Sequence, residues 1–385
     1  MTKLHCWNDF DPLKSVILGS VFENDKIPKR YEGKDQENFV KIIEDSNLEL
    51  TNIQKILEEH NVKVHRPKQP KNYNSEENIF HDSALNMRDQ YITYGNIFFS
   101  SYIPYPERRF THLWMEDIYK NLINSENNNL LVNSPELNLD GGIMDEKALV
   151  DYNEFFKLTG FRNYPKNYKH VKNILKTHEN FFAKNAAWDW FKTHNIQYSD
   201  KILFHGAYVL KRNDKAYIAS YGKKTVGHLW FEKWLNYLNV TPIYIPKAGH
   251  IDASAVFLNN DTILINPMRF LENNPKIEYY FQDVKNIIYL PTAEWRLNLP
   301  TEFWTNDKYN PTLWVEKWKP IFDLDRREAN CLPISPTKTL CNFYDKKFYD
   351  DLKNVGIEAI YVEWSHAQFL EGNLHCITCE LERSY

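Results

Sequence analysis

Near the end of the 385-residue sequence, the stretch FLEGNLHCITCELERSY sets His375 beside Cys376 and places Cys379 three residues further on. Those residue types at that spacing allow three chemistries: a zinc knuckle, a dithiol redox pair, or a cysteine nucleophile whose partners lie elsewhere. A structural zinc site takes four ligands, usually from two C-x-x-C pairs. Cys331 and Cys341 are ten residues apart and make no second pair. A redox pair of the thioredoxin kind needs its first cysteine at a helix N-terminus, where the macrodipole favours the thiolate. HCITCELE instead alternates as a strand does. Two buried structural cysteines are the plain alternative, since a free thiol packs as a small apolar group.

A nucleophile needs a base and a charged environment. PKAGHIDASAVFL offers His250 and Asp252 at what reads as the mouth of a strand, where residues two apart face the same side and can line one cleft. A histidine in such a place is otherwise a hydrogen-bonded core residue. SALNMRDQYITYGN offers Asp89 at the start of an apolar strand, where active-site residues of α/β folds collect. Its ordinary role there would be a turn aspartate paired with Arg88.

The elements that must hold these residues are short. KSVILGS reads as a strand closed by Gly19, ENFVKIIEDSNLELTNIQKILEEHN as a helix, and VKVHRP as a second strand stopped by proline. Hairpins follow about Gly95-Asn96, Asn213-Asp214 and Asn259-Asn260, with a Trp-rich helix over 225–239. TKTLCNF, KKFYDDLKNVG, EAIYVEW and HCITCELE continue as strand, helix, strand, strand. At least three strand-helix-strand-hairpin groups recur, which predicts an internally repetitive α/β architecture. No linker divides them, so residues 1–385 read as one domain, with 103–200 as its least regular part or an insertion.

Composition narrows the function classes. Hydrophobic residues at 43% and charged residues at 25% are those of a globular protein with a large core. A net charge of −4 supplies no basic field for a phosphate backbone, which argues against nucleic acid. No run of about 18 apolar residues occurs, and MTKLHCWNDFDPLKSVILGS holds no signal-peptide core. The odd count of five cysteines suits reduced thiols and a cytoplasmic protein.

Taken together, MRD followed by GN (87–96), GHIDA with NPMRF, GNLHCITCELER and the opening WNDFDPLKSVILGS resemble the glycine amidinotransferase family of guanidino-group-modifying enzymes. The resemblance runs from about residue 6 to 383 and is weakest over 103–200. It implies a pentein fold, a five-bladed α/β-propeller, and a homodimer. It also implies a Cys376 nucleophile, His250 as acid and base, guanidinium-holding carboxylates at Asp89 and Asp252, and Arg269 on the donor's α-carboxylate. Arginine would give its amidino group to an amine with no metal or cofactor.

Three departures from the family pattern stand out. In LFHGAYVLK, His205 occupies the place of the aspartate that orients the catalytic histidine, and an imidazole supplies a hydrogen bond without the negative charge. Asp200 or Asp214 could replace that charge, or the site could be retuned or catalytically silent. Lys247 puts a cation where the family tends to carry an amide, and Gly372 alone remains of a glycine-rich loop, which predicts a bulkier acceptor pocket. Water in place of the acceptor amine would make the same intermediate a deiminase reaction, and a silent homologue would only bind the guanidino compound.

Overall fold

The computed structural model describes residues 2–29, 33–71, 83–101, 111–124, 128–134, 204–220, 224–246, 250–266, 277–290, 329–367, 369–370 and 372–384. Five three-stranded sheets make up its β structure. The first orders β15 (Thr378–Arg383), β1 (Leu13–Leu18) and β2 (Lys63–His65); the second β3 (Tyr91–Tyr94), β4 (Ile97–Ser100) and β5 (Leu130–Asn133). The third holds β6 (Val209–Arg212), β7 (Lys215–Ser220) and β8 (Thr241–Pro246), and the fourth β9 (Ala255–Asn259), β10 (Thr262–Ile265) and β11 (Asn286–Tyr289). The fifth holds β12 (Leu332–Ser335), β13 (Lys338–Cys341) and β14 (Glu358–Tyr361).

Every sheet follows one plan, an antiparallel pair with a third strand parallel to its middle member. A parallel neighbour cannot be reached by a tight turn and needs a crossover, which is usually a helix. Accordingly α1 (Gly33–Glu59) joins β1 to β2, α3 (Thr111–Trp114) and α4 (Glu116–Ile123) lie between β4 and β5, α5 (Val226–Tyr237) joins β7 to β8, and α6 (Lys346–Asn354) joins β13 to β14. The one further α-helix among the described residues, α2 (Met87–Gln90), leads directly into β3. After α1, α5 and α6 the chain turns into its strand through a left-handed residue, Asn61, Asn239 and Gly356 in turn. No helix among the described residues is long and apolar enough to cross a membrane.

The repeating unit is thus hairpin, helix, strand, a different phase from the strand-helix-strand-hairpin grouping expected from sequence. Local reading missed the phase because the first sheet's antiparallel pair comes from opposite ends of the sequence, with Leu18 opposite Thr378. The fourth hairpin turns at Asn260-Asp261, one residue later than expected. Within 103–200, residues 111–124 and 128–134 supply α3, α4 and β5 of the second sheet unit; the remainder of that stretch lies outside the described residues.

Most strands are buried on both faces, and successive residues serve different neighbours. On β9, Ala255 and Phe257 pack with Leu210 and Tyr217 of the third sheet, while Val256 and Leu258 pack with Cys341 and Phe343 of the fifth-sheet unit. Ile92 and Phe99 likewise join the second sheet to Val209 and Ile218 of the third. Val16 and Ile17 share one cluster with Tyr91 and Phe98 of the second sheet and with Leu332 and Leu340 of the fifth. Strands sandwiched this way read as continuous apolar runs instead of alternating ones.

Candidate active site

Cys376 does not lie on a strand. Residues 374–377 form a turn in which Ile377 N–H donates to the Asn373 carbonyl at 3.0 Å, and β15 begins only at Thr378. The turn aims Cys376 Sγ at Asp252, to whose Oδ2 it donates at 3.2 Å. Asn330, just ahead of β12, donates through Nδ2 to Cys376 Sγ at 2.9 Å and to Asp252 Oδ2 at 3.2 Å, and its Oδ1 accepts from Cys376 N–H at 2.9 Å. His375 Nδ1 stands 3.3 Å from the same Asp252 oxygen. Asp252 is fully buried, and its Oδ1 has no hydrogen-bond partner among the described residues.

His250 and Asp252 do not share a strand face as the sequence suggested. Ile251–Ala253 is a 3-10 turn with His250 at its N-cap, and the strand starts at Ala255. Three residues per turn point positions two apart in different directions. Asp252 therefore meets Cys376, while His250 Nδ1 lies 3.7 Å from Asp89 Oδ1. Asp89 sits on α2, and it is not the partner of Arg88, whose guanidinium pairs with Glu380.

His205 joins this group from the segment leading into β6. Its ring centroid lies 5.2 Å from that of His250 and 4.8 Å from that of Tyr208. Gly206 fixes the approach: a Cβ there would fall 2.4 Å from the Arg88 carbonyl oxygen and 2.7 Å from that of Tyr91. From another side, a Cβ on Gly372 would fall 1.8 Å from Asn86 Oδ1. Two glycines thus let the His205 and Cys376 segments close on the stretch that carries Asp89. Asp214 is exposed in the β6–β7 turn. Asp200, Lys247 and Arg269 lie outside the described residues.

Beneath the site runs a buried charge network that sequence reasoning did not find. Glu380 on β15 meets Arg88, Lys211 at 3.3 Å and Arg383 at 3.3 Å, and all four side chains are fully buried. Lys211 also meets Asp9 at 3.2 Å, and His375 Nε2 lies 3.7 Å from Glu380. Burial alone would raise the Glu380 pKa, but the surrounding cations outweigh it and hold the carboxyl well below the usual range. Asn330 likewise carried no signal, and His375 registered only as a neighbour of the cysteine.

Cys379 Sγ lies in the apolar cluster of the first sheet, where burial pushes its thiol up to about 12. Among the described residues, the groups spaced to hold a metal ion are Asp89–His205–His250 and Asp9–His375–Glu380, and neither contains a cysteine.

No family model and no curated protein matches the sequence. Solved structures do match in three dimensions. An amidinotransferase of saxitoxin biosynthesis from Microseira wollei superposes with a TM-score of 0.59 at 17% identity, covering 99% of this chain and 98% of the other. The inosamine-phosphate amidinotransferase of Streptomyces griseus gives 0.61 at 16%, covering 100% and 98%. DDAH from Pseudomonas aeruginosa, complexed with citrulline, gives 0.52 at 9%, covering 96% and 99%. The chain has the pentein fold. In this pentein the Cys376 turn, the Asp89 helix and the His250 segment come from three different sheet units, yet converge on one place.

Proposed function

We propose that this pentein is an amidinotransferase, taking the amidino group from arginine or a related guanidine and giving it to an amine through a covalent adduct on Cys376. The contact of Cys376 Sγ with Asp252 at 3.2 Å carries the reading. A guanidinium carbon is shielded by resonance, so attack requires a clamped planar cation and an in-line thiolate. Asp252 Oδ1 is buried and can accept a guanidinium N–H, with Asp89 as the second carboxylate. Arg269 is assigned to the donor's α-carboxylate, and Lys247 to substrate selection. The five sheets are read as the blades of the propeller, and residues 1–385 as one catalytic domain.

The contacts suggest how substrate arms the nucleophile. Without a cation, the S–H of Cys376 donates to the Asp252 carboxylate. A bound guanidinium offsets that negative charge, while the Asn330 amide stays in place to stabilise the thiolate. The thiol proton passes to His250 as the sulfur bonds to the guanidinium carbon, the carbon–nitrogen bond to the donor's amine breaks, and His250 gives that amine the proton. With arginine the leaving product is ornithine. The acceptor amine attacks the amidino carbon, His250 takes its proton, and the carbon–sulfur bond breaks to restore the thiolate. Asp89, 3.7 Å from His250, supplies the countercharge for the imidazolium that His205 lacks.

A hydrolase is the second reading, favoured by the shared fold of the citrulline-bound DDAH. There water would attack the same adduct. Incubation with arginine, acid quenching and mass spectrometry of the Cys376 peptide separates the two. An amidino adduct absent from Cys376→Ser and discharged by an added amine supports transfer. Rapid citrulline formation without an amine supports hydrolysis. No adduct with any guanidine overturns both and leaves a guanidino-binding protein.

A further inference from the structure

We infer that Asp89, His205 and His250 form a binding site for a divalent transition-metal ion of borderline softness, of which zinc is the type. One donor atom from each residue lies within 4.8 Å of the other two. Two imidazoles and a carboxylate suit zinc, cobalt or iron, and three protein ligands leave a position open for water or another small donor. Bond lengths of about 2.0–2.1 Å place tetrahedral ligands about 3.3 Å apart. The His250–Asp89 pair is near that spacing at 3.7 Å, and the donor atom of His205 lies within 4.8 Å of both. The two imidazole planes are inclined at 49°, with ring centroids 5.2 Å apart.

The backbone already holds the ligands together. Gly206 seats His205 against the carbonyls of Arg88 and Tyr91, on either side of the residue pair Asp89 and Gln90. The ring of Tyr208 flanks both histidines at 4.8 and 5.7 Å and limits their rotation. His250 keeps 35% of its side chain exposed, giving an ion a way in, while Asp89 is 5% exposed. The other group spaced for a metal, Asp9–His375–Glu380, is entirely buried, and its carboxylates lie against Lys211, Arg88 and Arg383.

Binding at Asp89 and His250 would exclude a guanidinium cation from the same carboxylate. That inhibitory consequence alone rests on the proposed amidino chemistry; metal binding does not. A protein that binds the ion but turns over undisturbed would keep the metal site and remove Asp89 from the donor pocket.

Cobalt(II) titration of the chelator-treated full-length protein tests the site through the visible ligand-field bands of low-coordinate cobalt. One equivalent is expected to develop the bands, zinc to displace them, and Cys376→Ser to retain them. His205→Asn and His250→Gln should each abolish them, with thermal unfolding confirming a folded protein. His250 is partly exposed, so His250→Gln decides the matter if His205→Asn does not fold. Absence of stoichiometric binding overturns the proposal. So does retention of the bands in a folded variant of either histidine, or their loss in Cys376→Ser, which would make sulfur the ligand.

Discussion

Asn330 grips Cys376 at both ends: its amide nitrogen lies 2.9 Å from Sγ and its amide oxygen 2.9 Å from the backbone nitrogen of the same residue. The donor to sulfur favours the thiolate, and the acceptor fixes the direction in which the sulfur points. Asn330→Ala removes both. A hydrogen bond to a charged group contributes about 1.5–3 kcal/mol, so alkylation of Cys376 by iodoacetamide should slow roughly 10- to 100-fold. An unchanged rate would show that Asn330 positions nothing.

Glu380 is the counter-ion of Arg88, Lys211 and Arg383, all fully buried. Glu380→Gln keeps the shape and removes the charge, leaving buried cations uncompensated. Loss of one member of such a set costs about 3–5 kcal/mol. Urea unfolding should show a lower midpoint with an unchanged slope.

Acid should act through the same residue. Its folded pKa is depressed, chiefly by Arg88 and Lys211 working against burial, so the unfolded chain takes up the proton first. The contribution is fully present above the unfolded carboxylate value of about 4.3. It is lost as pH falls from there through the folded value. In Glu380→Gln the acid dependence of the unfolding free energy below that pH should be shallower than in the parent.

His65 gives a second pH window, higher up. Burial, then Lys63, lower its pKa to about 4, and Nε2 lies 3.1 Å from Ser15 Oγ. Between the unfolded value of about 6.5 and that folded value, only the unfolded state binds the proton. Stability should therefore decline on acidification across this range, by on the order of 1 kcal/mol for a group still partly solvated. His65→Gln should remove that slope in denaturant unfolding measured at several pH values.

Gly206→Ala tests the closeness of the His205 segment to the Asp89 helix. The added carbon would meet two backbone carbonyl oxygens at 2.4 and 2.7 Å, and backbone cannot rotate away as a side chain can. Overpacking of this kind costs about 1–3 kcal/mol. The thermal midpoint should fall, and Cys376 alkylation should change with it if the two segments share one site.

Much of this was legible in the sequence where the physics is local. Asn and Gly in turn dipeptides marked the hairpins, because Gly95 and Asn213 adopt the left-handed conformation that such turns require. Cys376 and Asp252 were found as residue types and do meet. What failed was the long-range pairing and one local turn. The pairing of β1 with β15 has no local signature, so the repeat was read out of phase. The 3-10 turn over Ile251–Ala253 looked like the start of a strand, which misdirected His250. Lys211 and Arg383 lie far apart in the sequence, and only the fold buries them together around Glu380.

The seam between β1 and β15 has a consequence for how the molecule comes into being. Leu18 waits for Thr378, almost the whole chain later, before that side of its strand is covered. During synthesis an early strand must stay unzipped while four other sheet units emerge and fold. The turn bearing Cys376 leads straight into β15, so its side chain emerges from synthesis long after Asp89 and His250.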